Sequence, residues 1–339
     1  MKAKNIYISI VLSILCASCT EDVMDTIVAE ASAIVFGLPE TRAAVEGSTL
    51  PSGSSFNVWG GYDSSTNNVF NGETVSESDG TWSYTGNKRY WRVGKFHDFY
   101  AVYPSGCAQF SDNKLTVSAF QCPTTVTDMA NVTDLMTAYN KGMDGSNPQS
   151  LILTFKHTLT RISLAVKLAD DIPAGYKLTP QKLTLSAYTK GDMSYNIQSE
   201  EPIPVWSNQQ NFGIFTFNTT DGTLNGDAIT ASGVSNSAVI VNNTDLFLVP
   251  QSIISGQNQE EQNQKITLAY RLENNLTGED YHYIDNEISV SLDKAKIQTW
   301  NPGDALTYTL VIGRYNVTVV LHIGDWMDGN SGDQNVDFE

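Results

Sequence analysis

The residues that could carry chemistry are few, and they are not spaced for catalysis. The 339-residue chain has four histidines, which lie far apart in sequence: His97, His157, His282 and His322. It lacks the HExxH zinc pattern, the GxxxxGK(S/T) phosphate loop, the GxGxxG dinucleotide turn and the GxSxG nucleophile elbow. We therefore predict no catalytic residue, no metal site and no cofactor.

Acidic residues are plentiful, with 37 Asp and Glu against 20 Lys and Arg and a net charge of −17. This balance argues against a nucleic-acid partner, which needs clustered cations. A glycosidase pair of carboxylates is left open by counting, but no pair stands out. The C-terminal aspartates lack the spacing and closing Glu of an EF-hand, which favours a solvated tail: Asp325, Asp328, Asp333 and Asp337.

The N-terminus has the order of an export signal. Two lysines precede an apolar run over residues 6–15, which is too short to span a bilayer well. The small residues Ala17 and Ser18 directly before Cys19 resemble a bacterial lipobox. We predict a signal peptide over 1–18 and lipidation of Cys19, which anchors the chain to the outer membrane. An ordinary signal peptide cut nearby is the alternative.

Two cysteines remain in the body of the chain, Cys107 and Cys122. Export makes a disulfide chemically accessible. A bridge closing this 15-residue interval stabilises by about 3 kcal/mol in the loop-entropy view. We predict the bridge, against the alternative of two free buried thiols.

The elements that would position such residues are strands. Apolar and polar residues alternate with period two throughout, between clusters of Gly, Asn, Asp and Pro. Asn71-Gly72 predicts a hairpin turn, and the best helical pattern is short, over 133–139. We predict an all-β chain with a boundary in the polar stretch 170–175, which gives domains 43–172 and 173–339.

Several segments together resemble the fimbrillin family of Bacteroidetes, the subunits of type V pili. Each is weak alone, but their order spans nearly the whole chain. They are Ile34-Val35-Phe36, Glu40-Thr41-Arg42-Ala43, Phe56-Asn57-Val58-Trp59-Gly60, Phe99-Tyr100-Ala101-Val102-Tyr103-Pro104, Asp134-Leu135-Met136-Thr137-Ala138, Phe155-Lys156-His157-Thr158-Leu159, Leu248-Val249-Pro250-Gln251, Trp300-Asn301-Pro302-Gly303-Asp304 and Asp325-Trp326.

The resemblance implies two tandem transthyretin-like Greek-key β-sandwich domains, lipoprotein export, trimming after an arginine, and polymerisation by strand exchange. Arg42 fits the trimming step, because it is the only Lys or Arg between Lys4 and Lys88. Cleavage between Arg42 and Ala43 releases a propeptide over 19–42.

Two alternating stretches fit the exchange step. The propeptide holds a removable strand, whose loss leaves an open edge for another strand: Ile34, Phe36 and Leu38. The region 315–326 holds a donor-strand candidate: Val317, Val319, Leu321 and Ile323. The alternative is that this second stretch is the last strand of its own sandwich.

These observations predict a structural subunit of cell-surface fimbriae that self-polymerises or joins accessory subunits. A lipid-anchored tip or anchor adhesin that binds a host protein or glycan is the alternative. A surface carbohydrate-processing enzyme is the least favoured.

Overall fold

Apolar and polar residues that alternate along the chain favour β-strands, which bury one face and leave the other partly exposed. In Thr160–Leu168, for example, Ile162, Leu164 and Val166 are buried, while Arg161 and Lys167 are partly exposed. The computed structural model describes residues 32–41, 50–129, 131–132, 134–253, 263–274, 282–292, 298–314, 316–325 and 336–337. Residues Ser32–Glu339 form one unit.

The strands are β1 (Glu40–Thr41), β2 (Ser55–Tyr62), β3 (Phe70–Ser78), β4 (Thr81–Tyr84), β5 (Phe96–Tyr103), β6 (Gln109–Ser111), β7 (Lys114–Gln121), β8 (Met136–Asp144), β9 (Thr154–His157), β10 (Thr160–Leu168), β11 (Lys177–Asn196), β12 (Pro204–Asn218), β13 (Ile229–Thr230), β14 (Val239–Ile240), β15 (Leu246–Leu248), β16 (Lys265–Glu273), β17 (Tyr283–Ser291), β18 (Asp304–Ile312), β19 (Val317–Asp325) and β20 (Val336–Asp337). The helix α1 (Val126–Met129) lies between β7 and β8. In the part of the chain that the structure describes, no helix is long and apolar enough to cross a membrane. The prediction of an all-β fold is confirmed.

The N-terminal sheet has seven strands in the order β1-β9-β8-β5-β2-β3-β4. One of its faces covers an aromatic cluster that we call the N-terminal core, which includes Phe56, Phe70, Trp82, Phe99 and Phe155. Its other face contributes residues such as Trp59 and Tyr100 to a second and larger core. This sheet therefore has apolar packing on both sides, as the buried run of β2 requires.

Two further sheets enclose the larger core. The C-terminal sheet has the order β14-β10-β18-β19-β20, with β15 also on β10. The middle sheet has the order β17-β16-β11-β7-β6, with β12 and β13 also on β11. Inside, the indole nitrogen of Trp300 donates to the hydroxyl of Tyr308 at 2.7 Å, so the polar ends of two buried aromatic rings satisfy each other.

Strand pairing crosses the boundary predicted at 172/173. The strand β10, which lies before it, pairs in parallel with β18, and β7 pairs with β11. The division into domains 43–172 and 173–339 stays a prediction, as does the transthyretin-like Greek-key connection.

Two local predictions from the sequence are wrong. Asn71-Gly72 is not a hairpin turn, because it lies inside β3; the pairing with β2 shifts there, and Gly72 has φ of +87°. The Asn-Gly signal therefore reports a β-bulge, which also needs a positive φ. The helix predicted over 133–139 is also wrong, because β8 begins at Met136.

Candidate assembly site

The stretch Ser32–Thr41, which we call the N-terminal segment, bonds through one edge to the loop before β5. Ala33 bridges Tyr90 in antiparallel orientation. The amide of Ile34 donates to the carbonyl of Arg89 at 2.8 Å, and the amide of Trp91 donates to the carbonyl of Ser32 at 3.0 Å. This edge of the segment is therefore held in a two-bond ladder.

The opposite edge of the segment bonds to the chain leading into β9. The amide of Leu151 donates to the carbonyl of Val35 at 2.8 Å, and the amide of Gly37 donates to the carbonyl of Leu151 at 3.0 Å. Further along, β1 pairs with β9 in parallel. The segment is thus inserted between two other stretches of backbone, and its removal frees hydrogen-bonding groups on both sides.

The segment also fills part of the N-terminal core. Ile34 is buried, and its carbonyl accepts from the hydroxyl of Tyr84 at 3.3 Å. The ring of Phe36 packs against Phe56, Phe70 and Tyr84, with centroids 5.9, 5.7 and 6.0 Å apart. Both side chains therefore fill space in the N-terminal core, which the segment completes.

Leu38, predicted to lie on the same face, is instead 60% exposed. Phe36 bridges Leu151, and Glu40 pairs with Thr154. Between these two pairs the segment advances by four residues and its partner by three, so the segment holds one extra residue. The extra residue reverses the inward and outward alternation. Pro39 is buried in place of Leu38.

At the other end of the chain, β19 pairs with β18 over its full length, from Val317 opposite Ile312 to Asp325 opposite Asp304. Val319 and Leu321 are buried in the larger core, and Val317 and Ile323 pack against it at partial burial. The strand also pairs with β20. In this structure the donor-strand candidate is a strand of its own sheet, as the alternative from the sequence described it.

The sequence pattern of the fimbrillin-like family matches residues 41–326, which is most of the chain. The chain belongs to the fimbrillin-like family. This fimbrillin-like chain is accordingly a structural protein of cell-surface fimbriae that associates with other fimbrial subunits, and it is not an enzyme.

One solved structure shows the same fold, and two others are less similar. A fimbrial protein from Bacteroides vulgatus is 18% identical and superposes with a TM-score of 0.59. The alignment covers 87% of this chain and 99% of the Bacteroides vulgatus chain. A candidate cell adhesion protein from Bacteroides uniformis is 17% identical, with 85% and 98% covered and a TM-score of 0.46. The tip fimbrial protein Mfa3 from Porphyromonas gingivalis is 13% identical, with 87% and 100% covered and a TM-score of 0.43. The likeness of fold rests on the first of these. No curated protein sequence matches the fimbrillin-like chain.

The predicted processing residues lie outside the described residues. These are the lipidation site Cys19 and the cleavage pair Arg42 and Ala43. The described N-terminal segment ends at Thr41, directly before Arg42. The predictions for all three residues stay predictions.

The predicted disulfide is not formed, because Cys107 and Cys122 are free thiols. The β6–β7 hairpin pairs Gln109 with Thr116. Cys107 lies before β6, where its Sγ donates to the carbonyl of Pro104 at 2.9 Å, whereas Cys122 directly follows β7 and is fully buried. Burial raises the pKa of Cys107 to about 11 and that of Cys122 to about 12.

His97 and His157 are both buried. His97 is buried between the rings of Trp91 and Phe99, and its Nε2 accepts from the amide of Arg92 at 3.2 Å. Burial lowers the pKa of His97. Among the described residues, no group of His, Cys, Asp and Glu could hold a metal ion.

Asp134 and His157 form a partly buried ionisable pair, which joins the stretch before β8 to the end of β9. A carboxylate oxygen of Asp134 hydrogen-bonds to Nδ1 of His157. Burial raises the pKa of Asp134, and the hydrogen bond from His157 opposes that shift. Next to this pair, the hydroxyl of Thr158 donates to the carbonyl of Leu135 at 2.8 Å, which holds the same two strands together.

The sequence interpretation missed the partners of the N-terminal segment. Leu151 bonds to it through both its amide and its carbonyl, and the hydroxyl of Tyr84 bonds to Ile34. The apolar residues at every second position, Leu151, Leu153 and Phe155, are the signal in the sequence that could have identified this stretch as an acceptor strand.

Proposed function

We propose that the chain is exported as a lipoprotein on Cys19, trimmed after Arg42, and assembled into fimbriae by strand exchange. The carrying observation is the placement of the N-terminal segment. It is bonded along both edges, contributes Ile34 and Phe36 to a core, and ends one residue before Arg42. A cut at that arginine separates a complete strand from the sheet it completes.

Energetics favour replacement of the lost strand over an open groove. Burying Ile34 and Phe36 stabilises by about 1.5–3 kcal/mol each, so their loss leaves about 3–6 kcal/mol of apolar burial to be regained. The vacated groove also has unpaired backbone on both sides, which gives an incoming strand its direction and register. An apolar strand from a second subunit supplies both.

The proposed incoming strand is the 315–326 region of another subunit, with Val317, Val319, Leu321 and Ile323 as its apolar face. To be donated, β19 must leave β18, which costs about 3–6 kcal/mol for the burial of Val319 and Leu321. Burial of the same side chains in the groove of the next subunit regains a comparable free energy. A head-to-tail contact of this kind does not close on itself, so it grows a filament.

The test is SDS–PAGE without boiling on cells that carry the full chain, after treatment with an Arg-specific protease. The proposal predicts a ladder of multimers, and Arg42→Ala abolishes it. Arg314→Ala, which removes an exposed arginine elsewhere, leaves the ladder intact. Persistent monomer at high concentration, despite complete cleavage, would contradict strand exchange.

The pairing of β19 within its own sheet favours a second candidate function, that of a lipid-anchored tip or anchor adhesin binding a host protein or glycan. In such a subunit the C-terminal strand stays paired within its own sheet, and the lipid on Cys19 is retained. The mass of the form shed from the cell surface separates the two. It begins at Ala43 for a trimmed polymerising subunit and retains Cys19 for a lipid-anchored one.

A further inference from the structure

A cleft of about 240 Å³ opens on the face of the N-terminal sheet that points away from the N-terminal core. Phe99 of β5 faces that core, so its neighbours Asp98 and Tyr100 face the opposite way and line the cleft. The loop after β2 forms one wall, and Ile197 and Gln198, which follow β11, form the other.

Hydrogen bonds fix these walls in place. The hydroxyl of Thr66 donates to the side-chain oxygen of Asn113 at 2.9 Å, and the amide of Ile197 donates to the carbonyl of the same Asn113 at 3.3 Å. Across the cleft, the ammonium of Lys141 donates to the carbonyl of Ser199 at 2.7 Å. A cavity held this way is already formed before a ligand arrives, which is usual for small-molecule sites.

The rim of the cleft carries an exposed aromatic ring, that of Phe96. Phe96, on the same face as Asp98, is 67% exposed. On the opposite wall, Asp63 and Ser64 both have positive φ in a turn closed by the amide of Ser65 donating to the carbonyl of Tyr62 at 3.1 Å.

The polar groups of the cleft are mixed in kind and balanced in charge. One carboxylate, Asp98, and one ammonium, Lys141, stand beside the exposed amide of Gln198 and the hydroxyl of Ser64. Opposite single charges favour a ligand with no net charge. Amides, carboxylates and hydroxyls pair with a ligand rich in hydroxyl groups, because these both donate and accept.

We propose that this cleft binds one neutral pyranose, presented at the end of a glycan. A pyranose has a C–H face that packs on the negative face of the Phe96 ring, and hydroxyls that pair with Asp98 and Gln198. The volume lies below the roughly 300–1,000 Å³ of sites for larger ligands, which suits a single sugar ring.

A peptide fits the same cleft less well. Peptides that dock on sheets add a strand to an open edge. The floor strand β5 has no open edge here, because β2 pairs with it on one side and β8 on the other. The cleft also contains no residue of the N-terminal segment or of β19, so sugar binding does not depend on strand exchange.

The experiment applies the full chain, labelled with a fluorophore, to an array of immobilised oligosaccharides that end in neutral hexoses, N-acetylhexosamines or sialic acid, next to spots of unglycosylated protein. We expect binding to a subset of the neutral glycans. Phe96→Ala and Gln198→Ala each weaken it at least tenfold. Tyr283→Ala, which removes an aromatic ring 53% exposed on a different sheet, leaves it unchanged.

Circular dichroism shows that each variant is folded before its binding is compared. Absence of binding to every neutral glycan overturns the proposal. Glycan binding that Phe96→Ala leaves intact also overturns it, because the sugar then sits elsewhere. Binding confined to sialic acid, or Phe96-dependent binding to the unglycosylated protein spots, replaces the neutral pyranose with a charged sugar or a protein partner.

Discussion

The ring of Phe36 lies edge-on to the ring of Phe56, with centroids 5.9 Å apart. Phe56 belongs to β2 at the centre of the N-terminal sheet, whereas Phe36 belongs to a segment that a cut at Arg42 would separate from the rest of the chain. If the proposed trimming at Arg42 takes place, a residue that leaves the chain packs against one that stays, and this contact couples stability to processing.

Phe36→Ala in the uncleaved chain should lower the free energy of unfolding by about 2–4 kcal/mol, because it deletes an aromatic ring from a packed core. Urea unfolding followed by tryptophan fluorescence measures the change. Val35→Ala is the matched control, since Val35 is the neighbouring residue and is 55% exposed. The control should change the value by less than about 0.5 kcal/mol. Equal effects of the two substitutions would show that the segment does not complete the core.

Cys107 and Cys122 should both be titratable as free thiols in the denatured protein. In the native protein they should react slowly with iodoacetamide at pH 8. A thiol whose pKa is about 11, as for Cys107, is ionised in only about one molecule in a thousand at that pH, and only the thiolate reacts. Absence of thiols after denaturation without reductant would instead establish the disulfide.

Asp134 should make stability fall as pH rises through the acidic range. Burial holds its pKa in the folded chain above the ordinary value of 3.8, so the folded chain binds this proton more tightly than the unfolded chain. Its contribution is fully present below pH 3.8 and is lost as pH rises through the folded pKa. The measurement is urea unfolding of the wild type and Asp134→Asn at a series of pH values. The variant should gain stability relative to the wild type as pH rises. A difference that is constant with pH, or that has the opposite slope, would refute this role.

Leu321→Ala separates the two interpretations of β19. Leu321 is buried in the larger core, so the substitution should lower monomer stability by about 2–4 kcal/mol. If β19 is also donated, the variant should in addition form a weaker ladder after Arg-specific cleavage. Thr318→Ala, a partly exposed position on the other face of the strand, serves as the control. A Leu321→Ala ladder as strong as the wild type's would make β19 an ordinary last strand.

Period-two alternation made the strands predictable, because one inward face recurs at every second residue. The same rule misplaced Leu38, since a single extra residue between Phe36 and Glu40 reverses the alternation. Bulges of this kind depend on the partner strand, which the local sequence does not specify. Asn71-Gly72 misled for a related reason, because a hairpin turn and a bulge both need a positive φ.

The site was partly predictable. Ile34 and Phe36 were identified from their spacing, but Leu151 and Tyr84, which hold the segment, are 50 or more residues away in sequence. Pairing over such separations is decided by the fold as a whole. The same limit applies to β10, whose parallel partner β18 lies on the far side of the predicted domain boundary.

The most direct test of strand exchange is to lock the N-terminal segment in place. Ala33 and Tyr90 face each other in an antiparallel bridge, and such pairs have Cα atoms about 4.5–5.5 Å apart, which a disulfide spans. In the double variant Ala33→Cys, Tyr90→Cys, cleavage after Arg42 should leave oxidised protein monomeric on SDS–PAGE without boiling. Addition of reductant should then release the segment and produce the ladder. A ladder that forms equally well while the disulfide is intact would contradict the account.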